Sequence, residues 1–223
     1  MPEKLAVFDI DHTITRHSTG EYFLLEACRR RILPWRLILS VPKVYFQYRF
    51  GHIEWDSWGG AIAGIQGIRL ELLQELSELA FQKYHLRYLH REIHDIIRDY
   101  KQRGIPVLLA TSSVDIFVQP LADYLEVDGL LATRLEFADG QTTGRLEGKP
   151  VFGREKLQRI NSELQLRGLT PADCAFYSDS IHDLPLLEAS GRPVAVNPDF
   201  RLKKMAQKHG WQILRCRMPD RPE

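Results

Sequence analysis

Four apolar residues, Leu5, Ala6, Val7 and Phe8, run without interruption and stop at Asp9. A short continuous run of this kind predicts a strand buried on both faces. From Glu21 to about Arg103 the apolar spacing changes to three and four. This predicts helices over 21–31, 70–84 and 92–100, the last with Ile93, Ile96, Ile97 and Tyr100 on one face. Pro34, Pro42 and the glycines at 59, 60, 64 and 67 punctuate this block. After Gly104 strands and helices alternate: strand 105–110, helix 115–125, strands 130–137 and 143–146 around Asp139-Gly140, helix 153–166, strand 174–177, helix 182–189, strand 193–196, helix 200–209 and strand 212–214. The rhythm predicts an α/β fold with a doubly wound parallel sheet. The helical block is then an insertion after the first strand, dividing the chain into a core of 1–14 and 86–223 and a helical unit of 15–85.

At 223 residues the chain can bury a full core. Its 30 Lys and Arg offset 29 Asp and Glu, so no basic field calls for a nucleic-acid partner. Cys28, Cys174 and Cys216 are odd in number and far apart, as expected of reduced thiols in a cytoplasmic protein. The few residues ahead of the first strand do not read as a secretory signal. The apolar stretch 32–50 contains Pro34, Arg36, Pro42, Lys43 and Arg49 and is too polar to span a bilayer.

Ligands of open α/β sheets bind at the carboxyl ends of parallel strands. There the sequence places Asp9 and Asp11, then Thr111, Ser112 and Ser113, then Asp179 and Asp183, with Lys149 and Lys156 between. Two carboxylates one residue apart repel unless they share a cation or one holds a proton. Acids, hydroxyls and a lysine at one edge suit phosphoryl transfer: hard oxygens hold Mg²⁺, while hydroxyl and ammonium donors meet the phosphoryl oxygens. Ser113 and Ser180 are also placed to cap the helices that follow them.

Other chemistries fit less well. Gly144 and Gly148-Lys149-Pro150 lack the spacing and the hydroxyl of a P-loop. Asp9, Asp11 and Thr13 cannot start an EF-hand, because Ile14 and Gly20 stand where Gly and Glu are needed. His85, His90 and His94 fit a partly solvated helix face better than a zinc site.

The segments Phe8-Asp9-Ile10-Asp11-His12-Thr13, Leu108-Leu109-Ala110-Thr111-Ser112-Ser113, Gly153-Arg154-Glu155-Lys156 and Ser178-Asp179-Ser180-Ile181-His182-Asp183-Leu184-Pro185 resemble, in order, the four motifs of the haloacid dehalogenase (HAD) superfamily. The insertion between the first two resembles the type I cap of subfamily IB, the phosphoserine-phosphatase-like branch. The resemblance implies a Mg²⁺-dependent phosphomonoester hydrolase working through an aspartyl-phosphate. It implies that Asp9 is the nucleophile and Asp11 the general acid and base. It also implies that Asp9, Asp179 and the Asp11 backbone carbonyl hold Mg²⁺, that Thr111, Ser112 and a lysine bind the phosphoryl oxygens, and that Thr13 and Asp183 support them. Lys156 fits the spacing of the branch better than Lys149.

In this superfamily the cap selects the substrate, which makes His17, Ser18, Glu21, Arg49 and Arg69 candidate selectors. Phosphoserine phosphatases carry a glutamate nine residues after the nucleophile. Here Ser18 stands there and Glu21 lies about a turn further on. The implied substrate is a small phosphorylated metabolite, either phosphoserine-like or an amino-alcohol phosphate such as histidinol phosphate. Residues 29–36 and 41–50 mix cations with Trp, Tyr and Phe, a combination suited to a membrane interface. An alternative is therefore a lipid phosphatase of the phosphatidylglycerophosphate type. A second is a phosphate-binding regulatory protein without turnover.

Overall fold

Successive residues of β1 (Leu5–Phe8) are buried on opposite faces, as the period of a strand requires. Ala6 and Phe8 pack with Ile93, Ile97 and Tyr100 of α3 (Arg91–Gln102) and with Val118 and Leu121 of α4 (Asp115–Leu125). Leu5 and Val7 face Ile160 and Leu164 of α5 (Arg154–Leu166), Leu187 of α6 (Leu184–Ala189) and Leu202 of α7 (Phe200–His209). Helices thus cover both sides of the sheet. The structure, a computed structural model, describes residues 3–36, 38–39 and 62–217.

The remaining strands are β2 (Val107–Val114), β3 (Gly129–Thr133), β4 (Leu135–Ala138), β5 (Gln141–Leu146), β6 (Cys174–Ser178), β7 (Arg192–Val196) and β8 (Gln212–Leu214). Six form one sheet in the order β3-β2-β1-β6-β7-β8, with every neighbouring pair parallel. Phe8 is level with Leu109 on one side and Tyr177 on the other. The residues just beyond these three, Asp9, Thr111 and Asp179, therefore emerge at the same edge.

Two strand boundaries differ from the sequence reading. The strand expected at 105–110 runs to Val114, so Thr111, Ser112 and Ser113 lie within β2, where its pairing with β3 shifts register between Ala110 and Val114. The strand expected at 130–137 breaks at Arg134: β3 stays in the sheet, while β4 turns away to pair antiparallel with β5. Thr133 fixes that corner, donating to the Ser112 carbonyl at 2.8 Å and accepting from Val151 N at 3.0 Å. The helix expected over 182–189 divides into a 3₁₀ turn, Ile181–Asp183, and α6, whose first turn holds Pro185.

The insertion contributes α1 (Thr19–Arg29), α2 (Leu70–Lys83) and a 3₁₀ turn, His85–Tyr88. Its apolar cluster does not end at residue 85: Phe23, Ala27, Leu73 and Leu76 pack with Phe117 of α4 and Leu135 of β4. The rings of Phe23 and Phe117 stack at 3.9 Å. Backbone bonds also tie the insertion to the β4–β5 hairpin, from Gly67 N to the Thr142 carbonyl at 2.8 Å and from Thr142 N to the Ile68 carbonyl at 2.9 Å. Gly144 is required there. It holds φ at +75°, and a Cβ would lie 3.3 Å from the Ala63 Cα. The two connections between insertion and sheet run side by side, with Arg16 N donating to the Tyr88 carbonyl and His90 N to the Ile14 carbonyl, both at 2.9 Å.

Among the described residues the three cysteines are free and no helix is long and apolar enough to cross a membrane. Arg49 and the aromatic stretch 41–50 lie outside the described residues.

Candidate active site

The loop after β1 is tightly wound. Thr13, Ile14 and Thr15 all donate their backbone N–H to the Ile10 carbonyl, at 3.2, 2.8 and 3.1 Å, and His12 takes a left-handed φ of 63° to allow it. Histidine is among the residues that tolerate this conformation best. The winding turns Asp9 and Asp11 in different directions.

Asp9 faces Lys156, in the first turn of α5. The Lys156 ammonium donates to Asp9 Oδ1 at 2.8 Å and to Asp183 Oδ2 at 2.7 Å, and lies over the Phe176 ring. Burial works against its charge, but Asp183 and Asp9 outweigh it and hold the ammonium well above the ordinary lysine range. Asp9 is pushed up to about 7, chiefly by burial. Lys156 opposes the rise, while Asp183 and Asp11 add to it. Asp183 also accepts from Ser178 Oγ at 2.8 Å, so it orients the lysine. Lys149 is at the surface, its carbonyl bonded by Arg159.

Thr13 spans the gap to the acidic loop after β6. Its Oγ1 accepts from Asp179 N at 3.0 Å and lies 3.4 Å from Asp9 Oδ2 and 3.5 Å from Asp179 Oδ1. Asp199, which the sequence reading gave no role, holds that loop from behind. Its Oδ2 accepts from Ile181 N at 2.9 Å, and its Oδ1 caps α7 through Arg201 N and Leu202 N. Ser180 accepts from His182 N, in keeping with the capping expected of it.

Asp11 turns toward the insertion instead. Its Oδ1 accepts from Thr19 N at 2.7 Å and Thr19 Oγ1 at 2.9 Å, and its Oδ2 from Ser113 Oγ at 2.5 Å. Ser113 is therefore not the helix cap expected from sequence; Val114 occupies the N-cap position of α4. Thr111 is buried and its Oγ1 accepts from Ser113 N at 3.1 Å, leaving its O–H free to donate elsewhere. Ser112 is half-buried; its side chain forms no bond to the acids or to Lys156 among the described residues, and its carbonyl is taken by Thr133.

The donor set fits Mg²⁺. Asp9 and Asp179 present hard carboxylate oxygens to one hydroxyl, beside the Lys156 ammonium. No three carboxylate, imidazole or thiol side chains converge among the described residues. With three acceptor sites of the Asp11 carboxylate taken by Thr19 and Ser113, its backbone carbonyl is the Asp11 oxygen offered as a further ligand.

Of the candidate selectors, Ser18 is the N-cap of α1 but makes no capping bond, its place being taken by Asp11. Glu21, in the first turn, is half-buried. Burial raises its carboxyl above the ordinary range, while His12 opposes this and Asp11 adds to it. His17 is packed edge-on against Tyr22 and Tyr88. Arg69 is exposed beside the hairpin, bridged through its backbone to Gln141, and makes no bond to the acids.

The solvated histidine face expected at 85, 90 and 94 is a further correction. His85 is 1% exposed and His90 is also buried; only His94 is partly exposed, stacked on Tyr124. Among the described residues neither ring nitrogen of His85 has a well-formed hydrogen bond, and burial drives it down to about 4 against the pull of Asp11.

A family profile described as haloacid dehalogenase-like hydrolase matches residues 6–188. The chain belongs to this family. As a haloacid dehalogenase-like hydrolase it is an enzyme, and its relatives lie in the phosphoserine-phosphatase-like branch. It is 29% identical over 215 residues to the Mycobacterium tuberculosis protein named phosphoserine phosphatase SerB1, covering 93% of this chain and 69% of the relative. It is 28% identical over 225 residues to the histidinol-phosphatase of Neisseria meningitidis serogroup C, covering 95% and 98%. A crystal structure of a Bordetella pertussis Tohama I protein of unknown function superposes with a TM-score of 0.84 at 30% identity, covering 96% of this hydrolase and 99% of that chain.

Proposed function

We propose that this hydrolase is a Mg²⁺-dependent phosphomonoesterase that works through an aspartyl-phosphate on Asp9 and takes a small phosphorylated metabolite bearing an amine. The observation that carries the reading is the Lys156 ammonium, buried and bonded to both Asp9 and Asp183 at the end of the central strand. Such an ammonium holds the nucleophile in place and offers a donor to the phosphoryl oxygens as charge builds on them. Asp9 and Asp179 would hold Mg²⁺, whose charge would keep the Asp9 carboxylate ionised.

Asp9 Oδ attacks phosphorus and the ester P–O bond breaks. Asp11 gives a proton to the departing alkoxide and later takes one from the water that attacks the aspartyl-phosphate, releasing inorganic phosphate and restoring Asp9. Thr111 and Lys156 bind the phosphoryl oxygens. Residues 15–85 act as the cap over this edge, and Glu21 meets the amine. A half-buried carboxylate with no Lys or Arg bonded to it among the described residues is suited to a cationic substrate group. The relatives named for phosphoserine and histidinol phosphate, both amine-bearing esters, support this choice.

Hydrolysis of amino-acid, amino-alcohol, sugar and aryl phosphates with Mg²⁺ tests the reading. Turnover lost in Asp9→Asn, with borohydride converting the wild-type aspartyl-phosphate to homoserine at position 9 and releasing phosphate, is the expected result. Absence of turnover across the whole panel would sink it and favour a regulatory role.

A further inference from the structure

We infer that Ser113 and Thr19 are positioning residues that hold the Asp11 carboxylate with a single lone pair, on Oδ2, left for the catalytic proton. The inference rests on the assignment of Asp11 as general acid and base, and goes beyond it to the groups that aim this acid.

A carboxylate has about four acceptor sites, two on each oxygen. Thr19 N and Thr19 Oγ1 fill both on Oδ1, at 2.7 and 2.9 Å, and Ser113 Oγ fills one on Oδ2, at 2.5 Å. One site on Oδ2 remains. The donors are themselves fixed. Thr19 is fully buried in the first turn of α1, where its N–H would otherwise be an orphan, since Ser18 does not cap. Ser113 is buried, its backbone N–H bonded to Thr111 Oγ1 and its hydroxyl 3.2 Å from Thr19 Oγ1. Three elements, the β1 loop, the start of α1 and the end of β2, thus converge on one carboxylate. The side chain cannot rotate about its Cβ–Cγ bond without breaking all three contacts. Among the described residues neither the Ser113 nor the Thr19 side chain hydrogen-bonds to Asp9 or Lys156, so both act through Asp11.

The test separates esters that need an acid from one that does not. 4-Nitrophenolate leaves without a proton, whereas the alkoxide of an amino-alcohol phosphate must be protonated as it departs. The parameter kcat/KM covers the steps up to release of the leaving group, so the later attack of water does not blur it. Ser113→Ala, and Thr19→Val, which keeps the backbone donor, should each lower kcat/KM for the alkyl ester by about 10- to 100-fold while changing it by less than about threefold for 4-nitrophenyl phosphate. Ser113→Thr should recover most of the loss, and unchanged thermal melting would show that the variants fold. Equal losses on both esters, or none on either, would overturn the inference. Wild-type protein inactive on both esters would instead overturn the phosphatase assignment, and Asp11→Asn affecting both esters alike would overturn the assignment of Asp11 as general acid; this inference falls with either.

Discussion

The Lys156 ammonium, 3% exposed, donates to Asp9 Oδ1 at 2.8 Å and so couples the first turn of α5 to the end of the central strand. Lys156→Met removes a charged donor from the reacting edge and should lower kcat by roughly 10²- to 10³-fold. It should also lower stability by about 3–5 kcal/mol, because Asp9 and Asp183 are left facing each other in a buried site. Lys149→Ala, at the surface, should leave kcat within about twofold. Steady-state kinetics and urea titration check both. A loss in Lys149→Ala comparable to that in Lys156→Met would reverse the assignment.

Proton and metal should compete at Asp9. In the folded protein its carboxyl is raised to about 7 from an ordinary 3.8, so between these values the folded state binds the extra proton. The contribution of Asp9 to stability is therefore greatest at the acidic end and is lost as pH rises toward 7. Mg²⁺ must displace that proton, and its stabilising effect should grow from pH 6 to pH 8. Thermal melts in EDTA and in MgCl2 across this range should diverge with rising pH. In Asp9→Asn the divergence should be much reduced, and equal divergence in the two proteins would count against the idea.

His85 should make the fold acid-sensitive. Its ring is lowered to about 4 from an ordinary 6.5, so the unfolded chain binds the proton first and stability falls as pH drops from 6.5 toward 4. The shift corresponds to roughly 3 kcal/mol at the acid end. His85→Phe removes the titration and should flatten this limb while costing little at pH 7. Denaturant midpoints of the two proteins at pH 7 and pH 4.5 give the comparison; an unchanged slope in the variant would rule out His85 as its source.

Asp199 is expected to matter for metal affinity although it lies behind the acidic loop. Asp199→Ala removes the bond from Ile181 N and the cap of α7, costing about 1–2 kcal/mol. With the loop that carries Asp179 less firmly held, the Mg²⁺ concentration for half-maximal activity should rise by about tenfold. Asp199→Asn keeps acceptor oxygen on the side chain and should fall between the two. A loss of kcat at saturating Mg²⁺ with no change in metal affinity would contradict the expectation.

Discrimination should follow Glu21. Glu21→Gln keeps the shape and removes the charge, so kcat/KM for an amine-bearing phosphate ester should drop by about 10-fold or more while 4-nitrophenyl phosphate is little affected. Arg69→Ala, at an exposed position beside the hairpin, should change neither. A panel of paired esters with and without the amine provides the measurement, and an equal drop for both members of each pair would remove Glu21 from substrate recognition.

The acids were legible in the sequence because a parallel sheet sends every strand end to one edge. A buried strand that runs into Asp9 or Asp179 there is costly unless a cation or a proton meets the carboxylate. Lys156 was preferred to Lys149 only by the motif spacing of the family that the chain resembles, since a lysine at a helix start is by itself usually solvated. Ser113 was not legible as a partner of Asp11. Three consecutive hydroxyls give no hint of which faces the acid until the strand is extended through them and the register with β3 shifts. Thr19 was hidden because its bond crosses from one element to another, and Asp199 because a loop aspartate before a helix reads as a cap. It is one, with its second oxygen spent elsewhere. The histidines misled because His85 and His90 stand among charged residues in the sequence, while the fold packs them between the insertion and the sheet.

The β4–β5 hairpin makes the insertion less portable than its position in the chain suggests. The chain between β1 and β2 leaves and rejoins the sheet by two adjacent connections, but 134–147 make a second excursion and pair with 67–70 on arrival. A graft that exchanged 15–85 alone with a relative's would bring in a new partner for Thr142 and Gly140 while leaving the old hairpin behind, with Gly144 shaped for an Ala63 no longer there. Chimaeras meant to transplant selectivity should move both segments together, and natural changes in the two should be read as one unit of variation.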